Sequence, residues 1–173
     1  MDDFGSGLTH PFFSAVLDSF KSAAEKKGYD ITFINHNLGQ SKMTFLEHCQ
    51  YRNVDGVCLA CIDFYSTEIA ELMRQSLPAV TIDHSFNNRS CVISDNVGGM
   101  EMLVDYAAGL GHRQIAYVHG KQSSVTDNRL TGFYRAMKAN GMQSRAEYLE
   151  EADYQDPHKC YQAVKKLLKL KNR

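Results

Sequence analysis

Apolar positions over residues 11–27 recur at helical spacing. Phe13, Val16, Leu17, Phe20 and Ala24 share one stripe, with Pro11 early and Gly28 at the stop. The short run Ile31-Thr32-Phe33-Ile34 reads as a strand. A weaker helix over about 42–51 comes next, then an apolar run over 56–62 that reads as a buried strand. Ile69, Leu72, Met73 and Ser76 line a third helix, ended by Pro78. Ala79–Ile82 and Cys91–Ser94 are two further strands, and Asn96 is placed to cap a fourth helix with Met100, Leu103, Val104, Ala107 and Ala108 inward. Ile115–Val118 predicts a strand, and Leu130, Phe133, Tyr134 and Met137 a fifth helix. A short strand near 147–151 leads to a last helix with Cys160, Val164, Leu167 and Leu168 inward. Strands alternating with helices of this length imply right-handed βαβ units and a mainly parallel sheet, an α/β fold.

Composition narrows the function. The 173 residues carry 19 Lys plus Arg against 20 Asp plus Glu, a formal charge of −1, so bulk electrostatic binding of nucleic acid is not expected. No apolar run approaches the roughly 18 residues of a membrane helix. Five Cys, an odd number in a chain too long to need disulfide staples, favour a reducing compartment. Cys58 and Cys61 form a C-x-x-C, but inside an apolar strand their side chains would point to opposite faces, so buried structural thiols are expected rather than a redox or zinc pair. The chain reads as a fragment: Met1–Phe4 is too short for the first strand such a sheet needs, and the final helix has no strand after it.

Catalytic motifs are lacking. Gly5-Ser6-Gly7 opens a helix, but His10 stands where a phosphate loop of this kind has its third glycine, and Asn35 and His36 replace the acidic residue that a dinucleotide site needs. No P-loop, H-E-x-x-H or G-x-S-x-G occurs, and the seven His are dispersed without ligand spacing, so neither a cofactor nor a metal is expected. The remaining candidates are recognition residues at the edges of parallel strands, pointing to a binding module rather than an enzyme. Thr9, Phe12 and Phe13 sit at the start of the first helix, with Phe12 about 100° from the core stripe. Asp95 precedes the fourth helix. Asp127 and Arg129 precede the fifth helix's apolar stripe, and a guanidinium fork with a nearby carboxylate suits neighbouring hydroxyls.

Four stretches then carry a family resemblance: Thr9-His10-Pro11-Phe12-Phe13 with Gly28-Tyr29-Asp30; Asn53-Val54-Asp55-Gly56-Val57; Ile93-Ser94-Asp95-Asn96-Val97-Gly98-Gly99; and Leu110-Gly111-His112-Arg113-Gln114-Ile115-Ala116-Tyr117 with Arg129-Leu130-Thr131-Gly132-Phe133. In this order the chain resembles the effector-binding core of the lactose-repressor (LacI) family of bacterial transcription regulators. The resemblance implies a periplasmic-binding-protein-like type I fold, two Rossmann-like lobes holding a small molecule, often a sugar. Residues 1–112 would form most of the first lobe, lacking most of its first strand, and 113–173 part of the second. It further implies that Phe12, Phe13 and Arg129 line the effector site; Thr9, Asp95 and Asp127 are added on position alone. It implies a cytoplasmic protein, homodimeric at full length, that reads operator DNA only through a helix-turn-helix to which nothing in these residues corresponds. The alternative is an exported sugar-binding protein of an uptake system, which shares the lobes.

Overall fold

Local capping chemistry starts nearly every helix where the hydrophobic pattern places it. The computed structural model describes residues 11–38, 41–154 and 156–170. In the first unit, Met1–Ile93, α1 spans Pro11–Lys26, α2 Phe45–Arg52 and α3 Thr67–Arg74. Thr44 and Glu47 form a capping box on α2: the Thr44 hydroxyl accepts the Glu47 amide at 3.1 Å and the Glu47 carboxylate accepts the Thr44 amide at 2.7 Å. Ser66 caps α3 by accepting the amide of Ile69. The strands β3 (Val57–Leu59), β4 (Ala79–Ile82) and β5 (Ser90–Val92) come after β1 (Asn37–Leu38) and β2 (Ser41–Lys42), a two-residue antiparallel pair. The order β3-β4-β5 is parallel throughout, with Val57 opposite Ala79 and Val80 opposite Ser90. Cys49, Leu59, Ile69, Leu72 and Met73 form the buried core between this sheet and α2 and α3.

Two features of this unit differ from the sequence reading. Ile31–Ile34 is not a strand. A strand exists only against a ladder neighbour, and among the described residues this run pairs with none. Ile34 instead packs against the core, and the next residue, Asn35, places its backbone N and O 3.0 and 2.8 Å from the Nδ1 of the buried His48. The C-x-x-C also parts company with the expectation of one continuous strand. Cys58 lies in β3, which stops at Leu59, and Cys61 sits beyond it with a left-handed φ of 56°. Both thiols are free, and burial, with Asp83 adding, pushes that of Cys61 up to about 11, far from the depressed value of a redox cysteine.

The C-terminus of α3 is closed by a side chain. Arg89, from the loop before β5, donates from Nε and Nη2 to the Met73 carbonyl at 3.1 and 2.7 Å and from Nη1 to that of Leu77 at 3.0 Å. Nη2 also reaches the Gln75 carbonyl. One guanidinium thus satisfies carbonyls that the helix end leaves without partners.

The second unit, Ser94–Arg173, holds α4 (Asn96–Gly109), β6 (Tyr117–His119), α5 (Ser124–Ala139), β7 (Leu149–Glu151) and α6 (Pro157–Leu167). β6 and β7 are parallel, with Tyr117 opposite Leu149 and His119 opposite Glu151. The division falls after Ile93, not after 112 as the sequence suggested. The reason is packing: Val104 and Ala108 of α4 are buried against Phe133, Ala136 and Met137 of α5, so α4 belongs to the same unit as α5. Gly132 makes that approach close. A Cβ there would lie 2.4 Å from the Val97 carbonyl oxygen of α4 and 3.1 Å from Met100 Cβ. No helix among the described residues is long and apolar enough to cross a membrane.

Candidate functional site

In open parallel sheets, ligands gather at the carboxyl ends of the strands, where the following helix begins. In the second unit that edge is built by the end of β6, the start of α5 and the segment after β7. The last ladder contact is the Ala152 amide donating to the His119 carbonyl at 2.7 Å. Ser123 caps α5 through the Thr126 amide at 3.2 Å. Thr126 is 1% exposed, and its hydroxyl donates to the Lys121 carbonyl at 2.8 Å while lying 3.1 Å from Ser123 Oγ. With its one proton committed, Thr126 Oγ1 accepts from the Tyr154 hydroxyl at 3.0 Å. The Tyr154 ring lies over Gly120, where a Cβ would come within 2.0 Å of Cε2. A glycine immediately after β6 is therefore what lets an aromatic ring cover this edge.

Arg129 stands beside that ring. Its Nε donates to Asn96 Oδ1 at 2.9 Å, and its Cζ lies 5.9 Å from the Tyr154 ring centroid. Asn96 is 8% exposed and donates from Nδ2 to the Ser94 carbonyl at 3.2 Å, which fixes which end of its amide faces the guanidinium. The Nη1 and Nη2 groups of Arg129 have no hydrogen-bond partner among the described residues. Burial pushes the Tyr117 phenol above its ordinary range; Tyr154 adds to this and Arg129 opposes it, which places all three side chains in one electrostatic neighbourhood.

The other sequence candidates fare differently. Asp95 is the N-cap of α4, its Oδ1 accepting the Gly98 amide at 2.9 Å. Asp127 lies exposed in the first turn of α5. Two residues from Arg129, it projects about 200° away around the helix axis, so the two do not converge on one ligand atom. Phe12 is 48% exposed on α1 and meets the half-buried Phe13 edge to face at 5.2 Å. Thr9 lies outside the described residues. Sequence reading missed Asn96, Thr126 and Tyr154. Asn96 was legible only as a helix start, and nothing along the chain ties Tyr154 to a residue 25 positions earlier.

At the carboxyl ends of β3 and β4 in the first unit stands a cluster that sequence reading did not identify. His84 stacks on Phe64 at 4.7 Å with the rings 5° from parallel, and meets Phe86 and Tyr65 edge-on at 4.6 and 5.4 Å. Burial lowers the His84 pKa from its usual 6.5. The unfolded chain then binds this proton more readily, so the contribution to stability is present above pH 6.5 and is lost as pH falls through the lower native value. Melting temperatures measured between about pH 7.5 and 5.5 should fall more steeply in the wild type than in His84→Phe. Parallel profiles would show that His84 has no such role. Among the described residues no group of three or more His, Cys, Asp or Glu is placed to hold a metal ion.

Parallel αβ units with polar and aromatic groups at the strand ends define a Rossmann-like α/β fold. Residues 6–171 match the family model described as periplasmic binding proteins and sugar binding domain of LacI family, and the chain belongs to that family. It is 27% identical over 171 residues to the HTH-type transcriptional repressor PurR of Pectobacterium carotovorum, covering 94% of this chain and 49% of the relative. The chain therefore spans about half the length of the curated relatives it matches. Among solved structures it is similar to a LacI transcriptional regulator of Bacillus cereus subsp. cytotoxis, with a TM-score of 0.81 and 25% identity over 97% of this chain and 61% of that one. A transcriptional regulator of Yersinia pestis matches with a TM-score of 0.80, 25% identity and the same coverages. The periplasmic-binding-protein-like fold expected from the sequence is thus confirmed, and these curated relatives are repressors rather than enzymes.

Proposed function

We propose that this chain is the effector-binding part of a LacI-type transcriptional regulator, and that its second unit recognises a small polar metabolite, a sugar or a related compound, through Arg129 and Tyr154. The observation that carries the reading is the state of Arg129. Its Nε is anchored on the buried Asn96, its face lies by Tyr154, and both Nη groups are without a hydrogen-bond partner among the described residues at the carboxyl edge of β6 and β7. A preorganised fork beside an aromatic ring suits a hydroxylated or charged ring compound, the ring stacking while the fork takes two oxygens. Asp95 and Asp127 contribute indirectly, through the helix starts they serve. The regulatory step would be linkage: an effector that binds one arrangement of the protein better than another changes affinity for operator DNA by the same free energy. The names of the relatives support DNA reading by a helix-turn-helix in the longer protein; a cytoplasmic address and a homodimeric state are part of the same proposal.

Ligand-dependent stabilisation tests this directly. Thermal melts of the chain against a panel of sugars, sugar phosphates, sugar acids and nucleosides should find at least one compound that raises the midpoint by several degrees. At a hundredfold excess over the dissociation constant the stabilisation reaches about 2.7 kcal/mol. A flat panel, with the protein shown to be folded, would sink the reading.

A further inference from the structure

We propose that Asn140 is a modification site: its side-chain amide is lost by spontaneous deamidation when the end of α5 opens, and the carboxylate left behind keeps that end from docking on α4. It stands whether or not Arg129 binds an effector.

The capping of α5 creates the susceptible pair. The helix ends at Ala139, Asn140 follows as its C-cap, and Gly141 turns the chain with a left-handed φ of 66°. Glycine makes that turn without strain, so the helix end sets beside an asparagine the one residue with no side chain to shield its backbone nitrogen. A Cβ at Gly141 would meet nothing within 4 Å, so no packed group of the described residues keeps water from the turn. Among the asparagines of the sequence, only Asn140 precedes a glycine.

The step is internal to the chain. The Gly141 nitrogen attacks Asn140 Cγ; the new N–C bond closes a cyclic imide, the Cγ–Nδ2 bond breaks, and ammonia leaves with the proton that the nitrogen gives up. Water then opens the imide at either carbonyl, leaving aspartate or, with the backbone rerouted through Cγ, isoaspartate.

In the folded chain, hydrogen bonds and backbone angle both oppose this. Asn140 Nδ2 donates to Asp105 Oδ1 of α4 at 2.6 Å and to the Ala136 carbonyl at 2.9 Å. The Gly141 amide donates to the Lys138 carbonyl at 3.1 Å, so its nitrogen is engaged as a donor rather than a nucleophile. A ψ of 11° at Asn140 turns the Gly141 nitrogen toward Asn140's own nitrogen and away from its Cβ, whereas the imide ring needs the reverse. The last turn of α5 must therefore open before the ring can close. The product cannot resume the cap. A carboxylate at position 140 has no N–H to donate, and it brings a second negative charge to where the amide sat 2.6 Å from Asp105. It does so at a helix C-terminus, whose carbonyls already repel anions. The helix pair is loosened at this end, and the same pair carries the Asn96–Arg129 contact at the other.

Incubating the 173-residue chain in mildly alkaline buffer, native or unfolded in guanidinium chloride, tests the reactivity, read by mass spectrometry of the tryptic peptide 139–145. Conversion at Asn140 should be at least about tenfold slower in the native chain, the protection that hydrogen bonds of ordinary strength give a helix end. Asp105→Ala should narrow the gap. Equal rates in native and unfolded chain would overturn the proposal.

Asn140→Asp, which is the aspartate product, tests the consequence. It should lower the midpoint of a thermal melt by about 5 °C or more. Asp105→Asn returns an amide to the contact from the other side, so it should restore most of the loss in the double variant and change little alone. An Asn140→Asp chain that melts like the wild type sinks the proposal, as does a loss that Asp105→Asn leaves unrepaired. Should Asn140→Asp not fold, whether the double variant folds decides instead.

Discussion

Gly132→Ala should destabilise the second unit by about 2–3 kcal/mol, although alanine is the better helix former by about 1 kcal/mol. Two opposed effects meet at this residue, and distance decides between them. The new methyl would lie 2.4 Å from the Val97 carbonyl oxygen, about an ångström inside contact, and 3.1 Å from Met100 Cβ. The nearest atom is backbone, so no rotamer change relieves the overlap. α4 and α5 must separate, and the core of Val104, Ala108, Phe133, Ala136 and Met137 between them loses its packing. The midpoint of a thermal melt should drop by roughly 10 °C or more in a unit of this size. Shortening Met100 to alanine as well should not restore it, because the main obstruction is the carbonyl. A Gly132→Ala protein as stable as the wild type would show that the helices are free to move apart, and that their close approach is not required.

Arg89→Met should cost the first unit about 3 kcal/mol. Methionine keeps much of the apolar stem, so the loss isolates the guanidinium. Without it the carbonyls of Met73, Gln75 and Leu77 lose their shared donor at the end of α3. Leaving a partly buried acceptor unsatisfied costs about 1–3 kcal/mol, and solvent entering the site recovers part of the sum. Arg89→Lys should recover only a fraction, since one ammonium cannot reach three carbonyls from a single stem. Chemical denaturation followed by far-ultraviolet circular dichroism measures both variants. The consequence reaches beyond α3, because Ile69, Leu72 and Met73 bring most of the buried side chains of that core and are oriented by this helix.

Both positions bear on how much could be read in advance. Gly132 stood in a motif that marked the family, yet its reason, a helix crossing too close for any side chain, involves Val97, far from it in sequence. Arg89 carried no signal, because an arginine in a polar turn is ordinary until the carbonyls of a helix are found within its reach. The candidate site divides in the same way. Arg129 was singled out in the sequence, as was the aromatic pair Phe12 and Phe13. Its support by Asn96 and its pairing with Tyr154 were not, since those contacts span 33 and 25 residues. Asp95 was read as a binding residue and is placed as a helix cap, the role its position before an apolar helix also permits.

From the amino-acid order alone came the alternation of helices and strands and their parallel arrangement, while the order of four motifs carried the resemblance to the family. The alternation depends on side-chain periodicity and on capping residues within a few positions of each element, and short-range physics reaches that far. The extent of each strand, the place where one unit gives way to the next, and the group on which Arg129 rests were decided only in three dimensions. Ladder bonds, interhelical packing and the hydrogen bond that anchors a guanidinium all depend on what stands opposite, and a linear pattern does not contain its own partners.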